Sequence, residues 1–458
     1  MTGCQSTGSK NNDPFTYDVI VVGAGAAGLS AAIEASEAGA KVALLEKMPV
    51  VGGSTLFSDG LVYATGSKIQ LDNAINDTSE TLVNFWIDKA EGQADVPFLQ
   101  LVSDSSAGTI AWLEEIGVTF EKPIATGASP VLRAHPVVGK GAGLIESLKA
   151  YAEKKKITII TETSATEIIV DASKKITGLK ALDSSGNEVV YNTSSVVLAT
   201  GGLDYDPELM KTYHSDAVSL LSFANEGNTG DGLKMALALN AGIVSKDAEI
   251  GYTIVAGETE YNSEINHFIT NPYLIVNSIG ERFVDESGTH SLVYEDLVKQ
   301  TGQVAYMILD QTQYASVLET ALDKTSVVSA DTIEALASQM GIDPISLAKT
   351  VEFYNDMLEY GKDTQFGKTI LGVTPVKTPK YYAVKIVPAI MGTLTGLKTD
   401  LQSQVLDADG NVITGLYAAG EIASGDFYNK VYPADGTSLQ VSLTMGRLAG
   451  KNAAAFSK

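Results

Sequence analysis

The chain has 458 residues, 45% hydrophobic and 19% charged, enough to bury a large core and to divide into two or three domains. Lys and Arg number 32 against 55 Asp and Glu, a net charge of −23, which excludes nucleic acid and anionic lipid surfaces as general partners. One cysteine and four scattered histidines exclude intramolecular disulfides, thiolate-held iron–sulfur clusters, CxxCH haem attachment and any recognisable metal-ligand spacing.

Residues 1–16 read as a flexible tether. Within it, "TGC" resembles the end of a bacterial lipoprotein signal, with Cys4 as the lipidated residue. That reading expects a hydrophobic signal upstream and a lipid-anchored protein on the extracellular face of a bacterial membrane. The alternative is an ordinary tail residue and a cytoplasmic protein.

"YDVIVV" (17–22) is a buried strand, "GAGAAG" a glycine turn, Ala26–Ala38 a helix and "KVALLE" (41–46) a second strand. Gly23, Gly25 and Gly28 stand in GxGxxG order between strand and helix, and Glu46 closes the second strand. Such glycines let a pyrophosphate rest against the helix N-terminus, while the acid takes ribose hydroxyls. The pair Gly52-Gly53 before Ser54 suits FAD better than NAD. "GKGAGL" (139–144) does not follow a strand and reads as a loop leading into a helix, so no NAD(P)H domain is expected.

Residues 157–198 alternate as a strand meander with turns at "SKK" and "SSGN", and 205–246 read as helical. Residues 247–390 have a different texture: short strands in "YLIVN" and "VAYMILD", then amphipathic helices in "SADTIEALASQMG" and "DPISLAKTVEFYNDMLEYG". "GLYAAGE" (415–421) is a further strand, and a helix from Ser438 closes the chain. The expected fold is α/β: a Rossmann-like FAD-binding domain (17–246 and 391–458) with an inserted α+β capping domain (247–390).

In order along the chain, "VIVVGAGAAGLSAA", "LLEKMPVVGGS", "VVLATGG", "NTGDGLKMA", "YLIVNSIGERFVDES" and "GLYAAGE…GRLAG" resemble the flavoprotein family of soluble fumarate reductases, urocanate reductases and 3-ketosteroid dehydrogenases. The resemblance spans residues 17–455. It implies FAD contacts at Ala24, Gly25, Ala26, Ala27, Gly28, Glu46, Lys47, Gly53, Ser54, Thr55, Gly60, Thr200, Gly201, Asp231, Gly420, Glu421, Ser438 and Leu439. Relatives that bind FAD covalently use a histidine near Ser54 or Thr55; none stands here, so noncovalent FAD is expected, with no metal.

The departures from the family pattern bear on chemistry. At the tenth position after Gly280, where soluble fumarate reductases carry an arginine proton donor and ketosteroid dehydrogenases a tyrosine, stands His290. The positions that grip a dicarboxylate hold Asn266, Ile269, Pro388-Ala389 and Pro433. Tyr432 and Gly436 have the Tyr-Pro-x-x-Gly spacing by which ketosteroid dehydrogenases hold a carbonyl oxygen between a hydroxyl and an N–H, polarising a conjugated double bond. Of the other histidines, His135 is expected to order a loop and His214 to lie at the surface, while His267 in the cap is a candidate for lining the pocket. Tyr252, Tyr261, Phe268 and Tyr273 form a candidate aromatic pocket.

The implied activity is reduction of an activated C=C bond, in an enone or acrylate-type substrate other than fumarate. Hydride would come from flavin N5 and a proton from His290, with Tyr432 and Gly436 on the activating oxygen. Electrons would come from a separate redox protein or from a soluble flavin or quinone. The rivals are a ketosteroid-type dehydrogenase running the reverse reaction, and a flavin electron-transfer protein without turnover.

Overall fold

The computed structural model of the protein describes residues 14–127, 129–246, 248–261, 263–288, 290–314, 316–318, 326–430 and 432–458; Cys4 lies outside the described residues. Strands β1 (Val19–Val22) and β2 (Val42–Leu45) are short aliphatic runs buried at every position, as a parallel sheet covered on both faces requires. Their sheet has six strands in the order Gln404–Leu406, Val412–Ala418, Val196–Leu198, β1, β2, Thr158–Ile160. All pairs are parallel except the first.

Helix α1 (Ala26–Glu37) follows β1 through the glycine turn. At Gly28 an added Cβ would stand 1.8 Å from the Gly23 carbonyl oxygen, so only glycine lets this helix lie so close to its strand. The C-terminal helix Thr437–Phe456 crosses α1 in the same manner, Gly446 and Gly450 facing the carbonyl oxygens of Ala27 and Ala31. The two ends of the chain thus build one layer. Beside the sheet, Ser164–Val170, Ile176–Leu182 and Glu188–Asn192 form the expected antiparallel meander.

A second sheet is organised on two strands, β3 (Glu249–Val255) and β4 (Tyr381–Thr393). β4 pairs antiparallel with β3, Ala305–Asp310 and Val327–Ala330, and parallel with Leu221–Ser222. Helices Ile333–Met340 and Pro344–Tyr360 cover this sheet; Thr332 and Asp343 cap their starts, and Gly341 and Gly361 end them in left-handed conformations. Helix α2 (His290–Leu297) lies against β3, where an added Cβ at Gly251 would fall 2.0 Å from the Tyr294 ring.

Two features differ from expectation. Residues 205–246 are not continuously helical: Pro207–Tyr213 and Asp231–Leu237 are separated by Leu221–Ser222, which is drawn into strand pairing with Ala389 and Ile390, and by a left-handed Gly230. β4 also runs through the expected boundary at 390/391 without a break and ends at Thr393, inside the first fold. Among the described residues no helix is long and apolar enough to cross a membrane.

Candidate active site

The carboxyl ends of β1, β2, Val196–Leu198 and Val412–Ala418 open on one cleft holding about 1390 Å³ of free space, its mouth included, the position where open α/β sheets bind ligands. Ile250, Tyr252 and Met391 close it from the second sheet, and Tyr261 from the segment after β3. Every residue expected to contact FAD lines this cleft except Gly28, which serves the packing of α1 on β1 instead.

The lining has the properties a flavin dinucleotide needs. Gly25, the N-cap of α1, has no side chain to cap the first amides, only the Ala26 N–H reaching Thr55 Oγ1 at 3.4 Å among the hydrogen bonds to side chains there, and Cβ atoms added at Gly25 or Gly53 would meet nothing closer than 3.8 and 3.6 Å. Bare backbone and free N–H groups therefore face the cleft, a phosphate cradle. Glu46 is fixed by the Ala24 N–H on one oxygen and the Met48 N–H on the other, both at 2.8 Å. Its remaining lone pairs are available to ribose hydroxyls. Lys47 donates to Asp231 at 2.7 Å and to Thr229 at 2.6 Å, so two expected contacts form an ion pair with each other. The buried Thr200 hydroxyl has no partner among the described residues, an orphan that a ligand in the cleft can satisfy.

Beneath the cleft floor lies a carboxylate network. Glu421 accepts from the Thr393 N–H at 2.8 Å, at the end of β4, and from the Asn228 amide at 3.4 Å. Asn228 also donates to Asp204. Burial, with Asp204 nearby, pushes Glu421 up to about 8; burial raises Asp204 as well. His214, expected at the surface, is fully buried and meets Glu249 at 2.7 Å, while Tyr294 donates to the other Glu249 oxygen at 2.9 Å. No periodicity around His214 announces this burial.

At the opposite end of the cleft stand Tyr432, Asp435, Gly436, Asp59, Tyr252 and Tyr261. The Tyr432 oxygen accepts from the Ser438 N–H at 3.0 Å, at the first turn of the C-terminal helix, and the Gly436 N–H faces the same oxygen. The expected pair of donors to a substrate oxygen is thereby rearranged: both amides serve the phenol, leaving the Tyr432 O–H to donate. Burial keeps this hydroxyl well above the usual tyrosine range, and hence protonated. Tyr252 and Tyr261 meet edge to face with centroids 5.1 Å apart and share a hydrogen bond. Tyr261 is also hydrogen-bonded to Asp59, which takes Lys140 Nζ at 2.9 Å from outside. Burial, and then the charge of Asp59, lift Asp435 to about 6.

His290 is the first residue of α2; its side chain lies outside what the structure describes. The dicarboxylate-gripping positions are structural. Asn266 bridges the Val255 N–H and the Glu260 carbonyl, Ile269 is in the core of the cap, and Pro388-Ala389 pair with Thr253 and Tyr252 in the sheet. None of these, nor Pro433, lines the cleft. His135 is buried between Ser67 and the carbonyl of Arg133, ordering its loop, and burial lowers its pKa. His267 is exposed on a helix of the cap, and Phe268 stacks on Tyr273 away from the cleft. Asn228, Asp204, Asp59 and Asp435 escaped the sequence reading, although Asp59 and Asp435 each directly precede a glycine that did not.

Residues 18–439 match the FAD binding domain family. The fumarate reductase (cytochrome) of Shewanella frigidimarina is 30% identical, over 97% of this chain and 78% of the relative. The vinyl phenol reductase of Lactiplantibacillus plantarum is 31% identical, over 96% of this chain and 97% of the relative. The structure of 3-ketosteroid Δ4-(5α)-dehydrogenase from Rhodococcus jostii RHA1 in complex with 4-androstene-3,17-dione superposes with a TM-score of 0.84 at 27% identity, covering 98% of this chain and 99% of that one. On the cleft and on these matches, the chain belongs to the FAD-binding family of fumarate reductase-like flavoproteins, as an FAD-dependent CH–CH oxidoreductase.

Proposed function

We propose that the protein reduces a carbon–carbon double bond conjugated to a neutral group, and that fumarate is a poor substrate. The observation that carries this reading is the charge of the cleft. Its single lining cation among the described residues, Lys47, is paired with Asp231, while the other end holds Asp59, Asp435 and three tyrosines. A dianion there would lie unpaired among like charges, at a cost of several kcal/mol. The vinyl phenol reductase relative, named for a neutral aryl alkene, supports the same reading.

FAD held in this cleft, once reduced, would supply the hydride. Tyr432 donates to the polar end of the substrate and polarises the double bond; His290, at the head of α2, returns the proton to the carbon that does not receive hydride. Electrons come from a separate redox protein or a soluble flavin or quinone. A second reading, dehydrogenation in the reverse direction, is favoured by the Tyr432 and Gly436 spacing and by the ketosteroid dehydrogenase likeness. Attachment to the outer face of a bacterial membrane through Cys4 is a separate proposal, tested by membrane fractionation of the source organism.

The test is anaerobic mixing of chemically reduced enzyme with a panel of enones, aryl alkenes, acrylates and fumarate, following flavin reoxidation by absorbance. Neutral alkenes should reoxidise it, with fumarate slower on the order of a thousandfold. Fumarate matching the best alkene overturns the substrate reading. Reoxidation by no alkene, together with rapid reduction of an artificial acceptor by a saturated ketone, would favour the dehydrogenase.

A further inference from the structure

We propose that the substrate carries its own hydrogen-bond donor, a hydroxyl or a protonated nitrogen, that Asp435 accepts from it, and that Tyr432 donates to the oxygen where that donor is a hydroxyl. The inference rests on the reading of the cleft as a double-bond reductase site and names the substrate class more narrowly.

Asp435 lines the cleft immediately before Gly436, the residue that caps the C-terminal helix. Among the described residues no donor reaches its carboxylate. Its neighbours are Tyr432 from its own loop, Asp59 from the loop before Gly60, Tyr252 from β3 and Tyr261 from the segment after it. The hydrogen bonds of Tyr261 go to Tyr252 and Asp59. The Tyr432 oxygen is taken by the Ser438 amide. Among the described residues the one cation on this side, Lys140, is bound to Asp59 and stands outside the cleft wall.

A half-buried carboxylate left without a partner is unfavourable until something donates to it. A hydroxyl answers both side chains at once, accepting from Tyr432 and donating to Asp435. An ammonium answers Asp435 more strongly still, but has no lone pair to take the Tyr432 proton. A carbonyl oxygen in the same place sets acceptor against acceptor, and a carboxylate adds a like charge, so both are rejected unless Asp435 is protonated.

The sign of the pH dependence follows from the same geometry. Asp435 titrates at about 6, so affinity for a donor-bearing ligand is full above that pH and falls as the pH drops through it. A carbonyl ligand behaves in the opposite way. Asp59 is the charge that helps hold Asp435 up, so Asp59→Asn should move the midpoint to lower pH while keeping the preference.

The experiment uses the FAD-loaded enzyme and measures binding by perturbation of flavin absorbance, with styrene, 4-hydroxystyrene, 4-(aminomethyl)styrene and 4-vinylbenzoate as probes. The hydroxyl and ammonium probes should bind about 10- to 100-fold more tightly than styrene, and the carboxylate most weakly. Asp435→Asn should erase the ranking at unchanged FAD content. If that variant does not fold, the pH dependence of the wild type decides alone. Equal binding of styrene and 4-hydroxystyrene, or tighter binding of the hydroxyl probe below pH 6, overturns the proposal. The reductase reading fails separately, if none of the alkenes reoxidises reduced flavin whatever their order of binding.

Discussion

Tyr432 owes its chemistry to its own loop. Its oxygen rests on the amides that open the C-terminal helix, where the helix dipole favours negative charge. Drawing density from the phenol oxygen this way makes its proton a better donor, while burial keeps that proton in place near neutral pH. Tyr432→Phe should therefore leave FAD content and chemical reduction of the flavin intact and lower turnover about 10²–10³-fold, the cost of one such donor. His290→Ala should cost about 10²–10⁴-fold, and His290→Tyr should restore part of it, which Tyr432 variants would not show. Wild-type turnover in His290→Ala would shift the proton to another group. The place of Tyr432 at the cleft was legible because a Tyr-Pro-x-x-Gly pattern is local. Asp435, three residues on, was not: its significance depends on Asp59 and on two tyrosines of β3 and the segment after it, a meeting that no spacing announces.

At the scale of elements, the inserted domain is held by charge as well as by its sheet. Arg282, in the turn after Leu274–Asn277, donates to Glu286 at 2.7 Å and to Asp363 at 2.9 Å, with Lys368 at 3.3 Å from Glu286, all essentially without solvent contact. The cluster ties that turn to the segment after Pro344–Tyr360. Arg282→Met should leave two carboxylates with too little positive charge and destabilise the cap by about 3–5 kcal/mol, seen as a lower melting temperature. Burial alone would raise Asp363, but Arg282 and the amides of Gln365 and Lys368 hold it down at about 2. A depressed carboxylate contributes stability above its ordinary value of 3.8 and loses it as the pH falls towards 2. Wild-type unfolding should thus steepen over that window, and the Asp363→Asn variant should lack this step. "GERFVDES" was read as a motif leading to His290, and its structural role was invisible because the partner Asp363 lies on another element. The helices Ile333–Met340 and Pro344–Tyr360 were legible, since caps and closing glycines are written locally; β4 was not, because its length is set by four neighbouring strands rather than by its own pattern.

For the whole molecule, the cleft is the joint. Its walls come from the first fold, from β3 and from β4, and Thr393 at the end of β4 donates to Glu421 on the cleft floor. The family and the phosphate end were legible because close backbone approach admits only glycine, at Gly28 against Gly23 above all; the acid networks were not, because burial and a second carboxylate from a distant part of the chain give Glu421 and Asp435 their character. A ligand filling such a joint acts on the stability of both parts. Among the described lining residues there is no histidine or cysteine to bond the flavin, and the three tyrosines have their oxygens in hydrogen bonds. Acid precipitation should therefore release all the FAD into the supernatant, measured by its absorbance. Neutral apoprotein should melt at a lower temperature than the holoprotein, and FAD added at a hundredfold excess over its dissociation constant should return about 2.7 kcal/mol of stability. Flavin retained in the washed precipitate would reveal a covalent bond, whereas release without a change in melting temperature would mean that the cleft does not couple the two sheets.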